Sequence, residues 1–267
     1  MKVYFKSLAS GSSGNCYYIG TENREGILVD AGIPVRTIRK RLKEDNIGME
    51  DIRAILVTHD HTDHIKAIGP LGEKGHIPVY ATPLTHKGIN QSYCTTIKLC
   101  DAVQYIEKYH PIQLSSFNIE AFDIPHDGTD NVGYCIEVAS KTFTILTDLG
   151  TIPPHAIPYI QQADFLVIEA NYDEKMLQAG RYPAHLKSRI ASQTGHMSNQ
   201  ATALFLAEHL TPKQKRIWLC HLSKENNQPD LAYNTIEQAL CSKGIIAGQD
   251  VELHVLERTS PSELYEL

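Results

Sequence analysis

The sequence predicts an α/β fold in which two β-sheets are sandwiched between helices. Three observations point there. Short apolar strand patterns recur through the first sixty residues. Later strand patterns alternate with helical ones, which suits sheets covered by helices. A histidine-rich run, and other histidines and aspartates farther on, follow directly behind strand ends.

The elements follow in order. Val3 to Leu8 is apolar and β-rich, and a Ser/Gly loop, Ser10 to Asn15, separates it from strands at Cys16 to Ile19 and Ile27 to Val29. Apolar runs bounded by Gly and polar turns are the strand signal. The second of these strands ends in Asp30-Ala31-Gly32. Pro34 suits the first turn of a helix reaching about Asn46, with Val35, Ile38 and Leu42 on one face. Ala54 to Thr58 is a continuous apolar run, as in a buried strand, and residues 65 to 74 have a helical pattern. Residues 103 to 147 are β-rich, with strands at 119 to 124, 133 to 138 and 142 to 146. A buried strand at 164 to 168 precedes a helix at 198 to 209, for which Ser198 or Asn199 supplies the N-cap. A strand at Arg216 to Cys220 leads into His221, and a helix at about 230 to 242 and a strand at 251 to 256 close the chain. No repeat, low-complexity tract or linker interrupts the sequence, so one domain over residues 1–267 is expected.

Composition excludes several function classes. Hydrophobic residues at 42% and charged residues at 21% are ordinary for a soluble enzyme. A net charge of -6 argues against a surface that binds polyanions everywhere, and leaves room for a local basic groove. The N-terminal stretch has no apolar core of a secretory signal, and no segment reaches the roughly 18 apolar residues of a membrane span. A cytoplasmic protein with no membrane partner is expected. The six cysteines form no C-x-x-C pair and read as reduced thiols.

The chemistry lies in His59-Asp60-His61-Thr62-Asp63-His64. Residues two apart in an extended stretch point the same way, so His59 and His61 can grip one metal ion. Asp63 and His64, past a bend, can reach a second. Nitrogen and carboxylate donors suit Zn²⁺ foremost, and also Mn²⁺ or Fe. One loop cannot complete two sites. Further candidates each follow a short apolar strand: His126, Asp148 and His221. A carboxylate such as Asp148 can bridge two ions.

At these residues the sequence resembles the metallo-β-lactamase superfamily, over nearly the whole chain. The T-H-x-H-x-D-H signature stands as Thr58 to His64, with Asp30 matching the family's strand-end Asp. The resemblance implies an αββα four-layer sandwich. It implies His59, His61 and His126 on one metal ion, Asp63, His64 and His221 on the other, Asp148 bridging, and Asp30 orienting the site from behind. Ser7 to Asn15, Thr194 to Asn199 and Cys220 to Asn227 further resemble the WalJ/YycJ-type subgroup, regarded as cytosolic 5′-to-3′ DNA exonucleases. The ribonuclease J relatives insert a domain between their Asp and last His motifs, and Asp148 and His221 are too close for one.

The expected activity is therefore a two-metal phosphodiesterase, with DNA preferred over RNA as the nucleic-acid substrate. Two ions about 3.5–4 Å apart would supply hydroxide at neutral pH and neutralise phosphoryl charge. Asp63 orients the nucleophile or takes its proton, and His196 donates a proton to a substrate oxygen. Ser12, Ser13 and Asn15 offer a nest for a terminal phosphate, and Asn226 is placed in the same cleft. Lys187 and Arg189 are candidates for backbone contact. Two alternatives stay open: a hydrolase of small esters, lactones or thioesters on the same metals, and a non-catalytic metal-bound scaffold.

Overall fold

The computed structural model describes residues 1–267. In chain order, β1 is Val3–Gly11, β2 Gly14–Thr21, β3 Gly26–Val29, α1 Val35–Lys43, β4 Ile52–Leu56 and α2 Thr62–Ile65. Then come β5 Val79–Ala81, α3 Pro83–Gln91, β6 Val103–Tyr105, β7 Ile112–Leu114, β8 Phe117–Asp123, β9 Val132–Val138 and β10 Lys141–Leu146. The rest are α4 Ile157–Gln161, β11 Phe165–Glu169, α5 Glu174–Ala179, α6 Ala184–Ile190, α7 Asn199–His209, β12 Arg216–Cys220, α8 Pro229–Ser242, β13 Glu252–Val255 and β14 Tyr265–Glu266. Two compact units result. One is Met1–Ala121 with Gly128–Val132 and Glu257–Leu267; the other is Phe122–Asp127 with Gly133–Leu256.

The first unit is built on a seven-stranded sheet in the order β14-β1-β2-β3-β4-β5-β6. Its β1–β2–β3 meander is antiparallel, while β3 to β6 are parallel neighbours. Parallel neighbours need long crossovers, and α1, α2 and α3 lie within them. Ile38 and Leu42, four apart on α1, are fully buried in the same apolar cluster as Leu28, Ile55 and Val57. Burying each such side chain contributes about 1.5–3 kcal/mol. The helix stops at Lys43, earlier than expected, because Asn46 takes a left-handed backbone (φ 59°) and Ile47 N returns to the Leu42 carbonyl. That closure is a helix C-cap. The Ser/Gly loop is also shorter than expected. The strands pair as far as Gly11 and Gly14, so only Ser12 and Ser13 turn. The helical pattern at 65 to 74 is split. Its helix, α2, begins inside the histidine run, and a separate wide turn covers Pro70–Lys74.

In the second unit the strands run β13-β12-β11-β10-β9. The first four are mutually parallel, with β9 antiparallel to β10. Leu146, Leu166, Ile168, Ile217 and Leu219 of these strands meet Leu206 of α7 and Ile236 and Leu240 of α8 in one core. Ser198 caps α7 by accepting a hydrogen bond from Ala201 N, as its sequence position predicts. No helix is long and apolar enough to cross a membrane. All six cysteines are free thiols.

Candidate metal centre

Parallel sheets present ligand-binding loops at the carboxyl ends of their strands, and both units do so here. In the first unit, β3 and β4 are parallel neighbours with Val29 level with Leu56. The chain leaving β3 delivers Asp30, and the chain leaving β4 delivers Thr58 to His64. Asp30 is fully buried, with one carboxylate oxygen accepting from Thr58 N at 2.9 Å. The other accepts from Thr58 Oγ1 at 2.8 Å and from His64 Nδ1 at 2.7 Å. Thr58 Oγ1 also holds His59 Nδ1 at 3.0 Å. The His59 ring packs against His61 and His64, with centroids 4.6 and 4.1 Å away. Helix α2 begins at Thr62, so the expected bend is a helix start, and Asp63 and His64 stand in its first turn. Asp60 points elsewhere: it accepts from Thr129 N at 2.9 Å and from the Thr129 hydroxyl.

In the second unit, Asp148, Glu169 and His221 stand at the carboxyl ends of β10, β11 and β12, which pair in parallel. Asp148 accepts from Thr147 Oγ1 at 2.7 Å, and its other oxygen lies 3.3 Å from His221 Nδ1. Glu169 is fully buried at the end of β11. One oxygen accepts from His196 Nδ1 at 2.8 Å and His221 Nδ1 at 2.9 Å. The other accepts from Leu149 N and Met197 N, each at 3.1 Å. Burial opposes the charge on Glu169, but the two histidines outweigh it and hold the carboxyl below its ordinary range. Burial likewise opposes a charged His196, yet Glu169, helped by Asp148, raises its pKa above the ordinary histidine value. Asp148, Glu169, His196 and His221 each offer a ligand atom within 4.8 Å of the others. His126 donates from Nδ1 to the Gly195 carbonyl at 3.0 Å.

The donor chemistry fits divalent metal ions. His64, His126 and His221 each give Nδ1–H to a protein oxygen. That sets the tautomer and leaves Nε2 with the lone pair, the second-layer support typical of metal-bound histidine. Asp30, Asp148 and His221 also share a left-handed backbone, with φ of 61°, 57° and 55°. The region is sparsely used by non-glycine residues, and each instance costs about 1–3 kcal/mol.

A family model described as a beta-lactamase superfamily domain matches residues 25–222. The chain belongs to that superfamily. Among curated relatives, it is 34% identical to the exodeoxyribonuclease YycJ of Bacillus anthracis, covering 99% of both chains. It is 34% identical to the exodeoxyribonuclease WalJ of Streptococcus pneumoniae, covering 98% of this chain and 97% of that one. Among solved structures, the metallo-beta-lactamase fold protein YhfI of Bacillus subtilis is 17% identical with a TM-score of 0.73, and the match covers all of both chains. The α/β class expected from the sequence, and its metallo-β-lactamase type, are thereby established.

The remaining site candidates of this superfamily member divide between the two units. Ser12 and Ser13 stand exposed on the β1–β2 turn. Asn15 is buried, and its amide is directed at His64 Nε2 (2.9 Å) and Asp63 Oδ2 (3.3 Å). Asn226 belongs to a loop in which its backbone carbonyl accepts from Asp173 N at 2.8 Å and Ser223 Oγ accepts from its N–H at 3.2 Å. Lys187 donates to the Gln178 carbonyl at 2.6 Å, and Arg189 to Asp127 at 2.6 Å. Glu169 is the residue that sequence reasoning missed. Its signal was present: it follows an apolar strand and precedes Ala170, the context shared by Asp30.

One glycine packs directly against the histidine loop. A Cβ at Gly32 would fall 1.5 Å from the Asp63 carbonyl oxygen. Gly32→Ala is expected to displace α2 and to cost at least about 2 kcal/mol, at the upper part of the range for forced overpacking. Thermal unfolding measures the loss, and a melting point equal to the wild type would refute the close approach.

Proposed function

We propose that this protein is a two-metal phosphodiesterase that removes nucleotides from DNA ends in the 5′-to-3′ direction. One observation carries the reading. The full T-H-x-H-x-D-H run, with both Asp63 and His64, occurs in a chain 34% identical from end to end to proteins named exodeoxyribonucleases. The ligand assignment follows the family pattern: His59, His61 and His126 for one ion, Asp63, His64 and His221 for the other, Asp148 shared, and Asp30 setting the His64 tautomer. Zn²⁺ is the proposed ion, since imidazole-rich sites suit it best. A pair of such ions supplies hydroxide at neutral pH and charge neutralisation at phosphorus.

The chain's own residues then have distinct tasks. Asp63 orients the attacking oxygen or takes its proton. His196, whose Nδ1 is held by Glu169, presents Nε2 to supply a proton to the departing oxygen. Glu169 keeps that ring oriented through Nδ1. Ser12 and Ser13 are proposed to border the substrate, with the buried Asn15 and Asn226 supporting the site from within, Asn15 through its amide at His64 and Asp63.

We further read residues 1–267 as one domain, because the chain leaves and re-enters the first unit twice. A cytoplasmic location is proposed, supported by six free thiols. The test is a panel of end-labelled DNA and RNA oligonucleotides against protein reconstituted with Zn²⁺, Mn²⁺ or Mg²⁺. Stepwise release from 5′-phosphorylated DNA is expected. No release with any of the three ions would overturn the reading.

A further inference from the structure

We propose that the outer face of α1 is a contact surface for the phosphate backbone of duplex DNA; this rests on the nuclease reading above and extends it to how the substrate is held. In a chain whose 31 acidic residues outnumber its 25 basic ones, α1 concentrates five bases in nine positions with no acid: Arg36, Arg39, Lys40, Arg41 and Lys43. Arg41 is turned inward, its guanidinium donating to the carbonyls of Leu8 and Thr259. The other four are exposed. Their spacing of i, i+3, i+4 and i+7 lays them along one face of the helix, opposite buried Ile38 and Leu42. The stripe is about 10 Å long at 1.5 Å per residue, within reach of two successive phosphates of one strand.

Little inside the protein balances this charge. Of the four, only Lys40 has an acidic partner, Glu44, at 4.0 Å. Arg39 and Lys43 line an open groove of ≈ 540 Å³ with Glu50 as the one carboxylate in its lining, while Arg24 on the same groove is taken by Asp51. The helix dipole favours bases in the last turn, which accounts for Lys40 and Lys43 but not for Arg36 in the first. Like charges three and four residues apart destabilise a helix, so the stripe is kept against helix stability. An external polyanion supplies the missing counter-charge. The contrast with α6 is plain, since its Lys187 and Arg189 are both engaged by groups of the protein itself.

The stripe also starts in the right place. The segment between Asp30 and α1 is fastened to the histidine loop, with Ala31 N donating to the His64 carbonyl at 2.8 Å. Gly32 N donates to the Asn15 carbonyl at 2.8 Å. A duplex whose terminus lies at that loop extends along α1.

The experiment uses the whole chain with Arg36, Arg39, Lys40 and Lys43 all changed to Gln, a good helix former. Thermal unfolding verifies its fold. Binding of a fluorescent 5′-phosphorylated duplex is followed by anisotropy in chelator, from 50 to 200 mM salt, so that no cleavage intervenes. The variant is expected to bind about tenfold or more weakly at low salt. Its slope of log K against log salt should shrink by about one for each phosphate that the protein no longer neutralises. Equal affinity and slope in both proteins, while the wild type degrades DNA, overturns the α1 surface and leaves the nuclease reading intact. Loss of binding in the variant, with no cleavage by metal-loaded wild type, upholds the surface and overturns the nuclease. If the wild type shows no salt-dependent binding at all, the surface is overturned.

Discussion

A His61→Ala chain is expected to lose at least about a thousand-fold in phosphodiester cleavage and to bind fewer metal ions than the wild type. Lewis-acid stabilisation by an active-site ion is worth several kcal/mol, and each 1.36 kcal/mol is tenfold in rate. His61 is only half-buried, with its ring against His59, so its removal leaves the core in place and the metal-free protein should melt near the wild type. Elemental analysis after reconstitution, alongside the cleavage rate, measures both parts. A variant with wild-type metal content and rate would remove His61 from the ligand set. Inactivity of both proteins would instead favour the scaffold alternative.

The second large effect is expected at Glu169. Its carboxylate serves four donors: His196, His221 and the backbone N–H groups of Leu149 and Met197. Glu169→Ala strands all four in a buried setting. Removing one member of a buried charged pair costs roughly 3–5 kcal/mol. At about 2–4 °C per kcal/mol for a chain of this size, the melting point should fall by roughly 6 to 20 °C. kcat should fall about a hundredfold or more, because His196 loses the partner that keeps its proton. KM for DNA should move little, since Glu169 is fully buried. A variant that melts and turns over like the wild type would show that the carboxylate holds nothing together.

The two effects also mark what the amino-acid sequence discloses and what it hides. The histidine run is legible because its donors are contiguous, and no ordinary loop collects them. The strands before Asp30, His126, Asp148 and His221 are legible as apolar runs, and the cap of α7 as a serine at the right offset. Glu169 shares that context, an acid after the apolar Phe-Leu-Val-Ile run, but nothing local ranks it with the others. Its importance arises from the parallel pairing of β11 with β10 and β12, which local sequence does not express. The character of its loop points Asn15 at phosphate. The hairpin register of Ser10 with Asn15 instead buries the side chain and sends it toward His64. Helix α3 escapes notice because Leu84, an apolar residue in its first turn, faces solvent, which blurs the periodicity. The charge on α1 is in plain sight, but an apolar face draws attention before the polar face behind it.

Under the proposed ligand assignment, the left-handed backbone at Asp148 and His221, and at Asp30 which supports His64, bears on how an ion would be captured. Such a conformation is reached only when the surrounding fold enforces it, so these side chains are posed by folding and not by the arriving cation. Their ordering entropy is spent before any ion is met. Capture should then resemble docking into a rigid receptor, fast and with little change in backbone hydrogen exchange at residues 30, 148 and 221. A glycine at any of the three would relieve the local backbone but strand the buried groups that its side chain now serves, as at Asp30 with Thr58 and His64, so ion affinity should fall at all three positions.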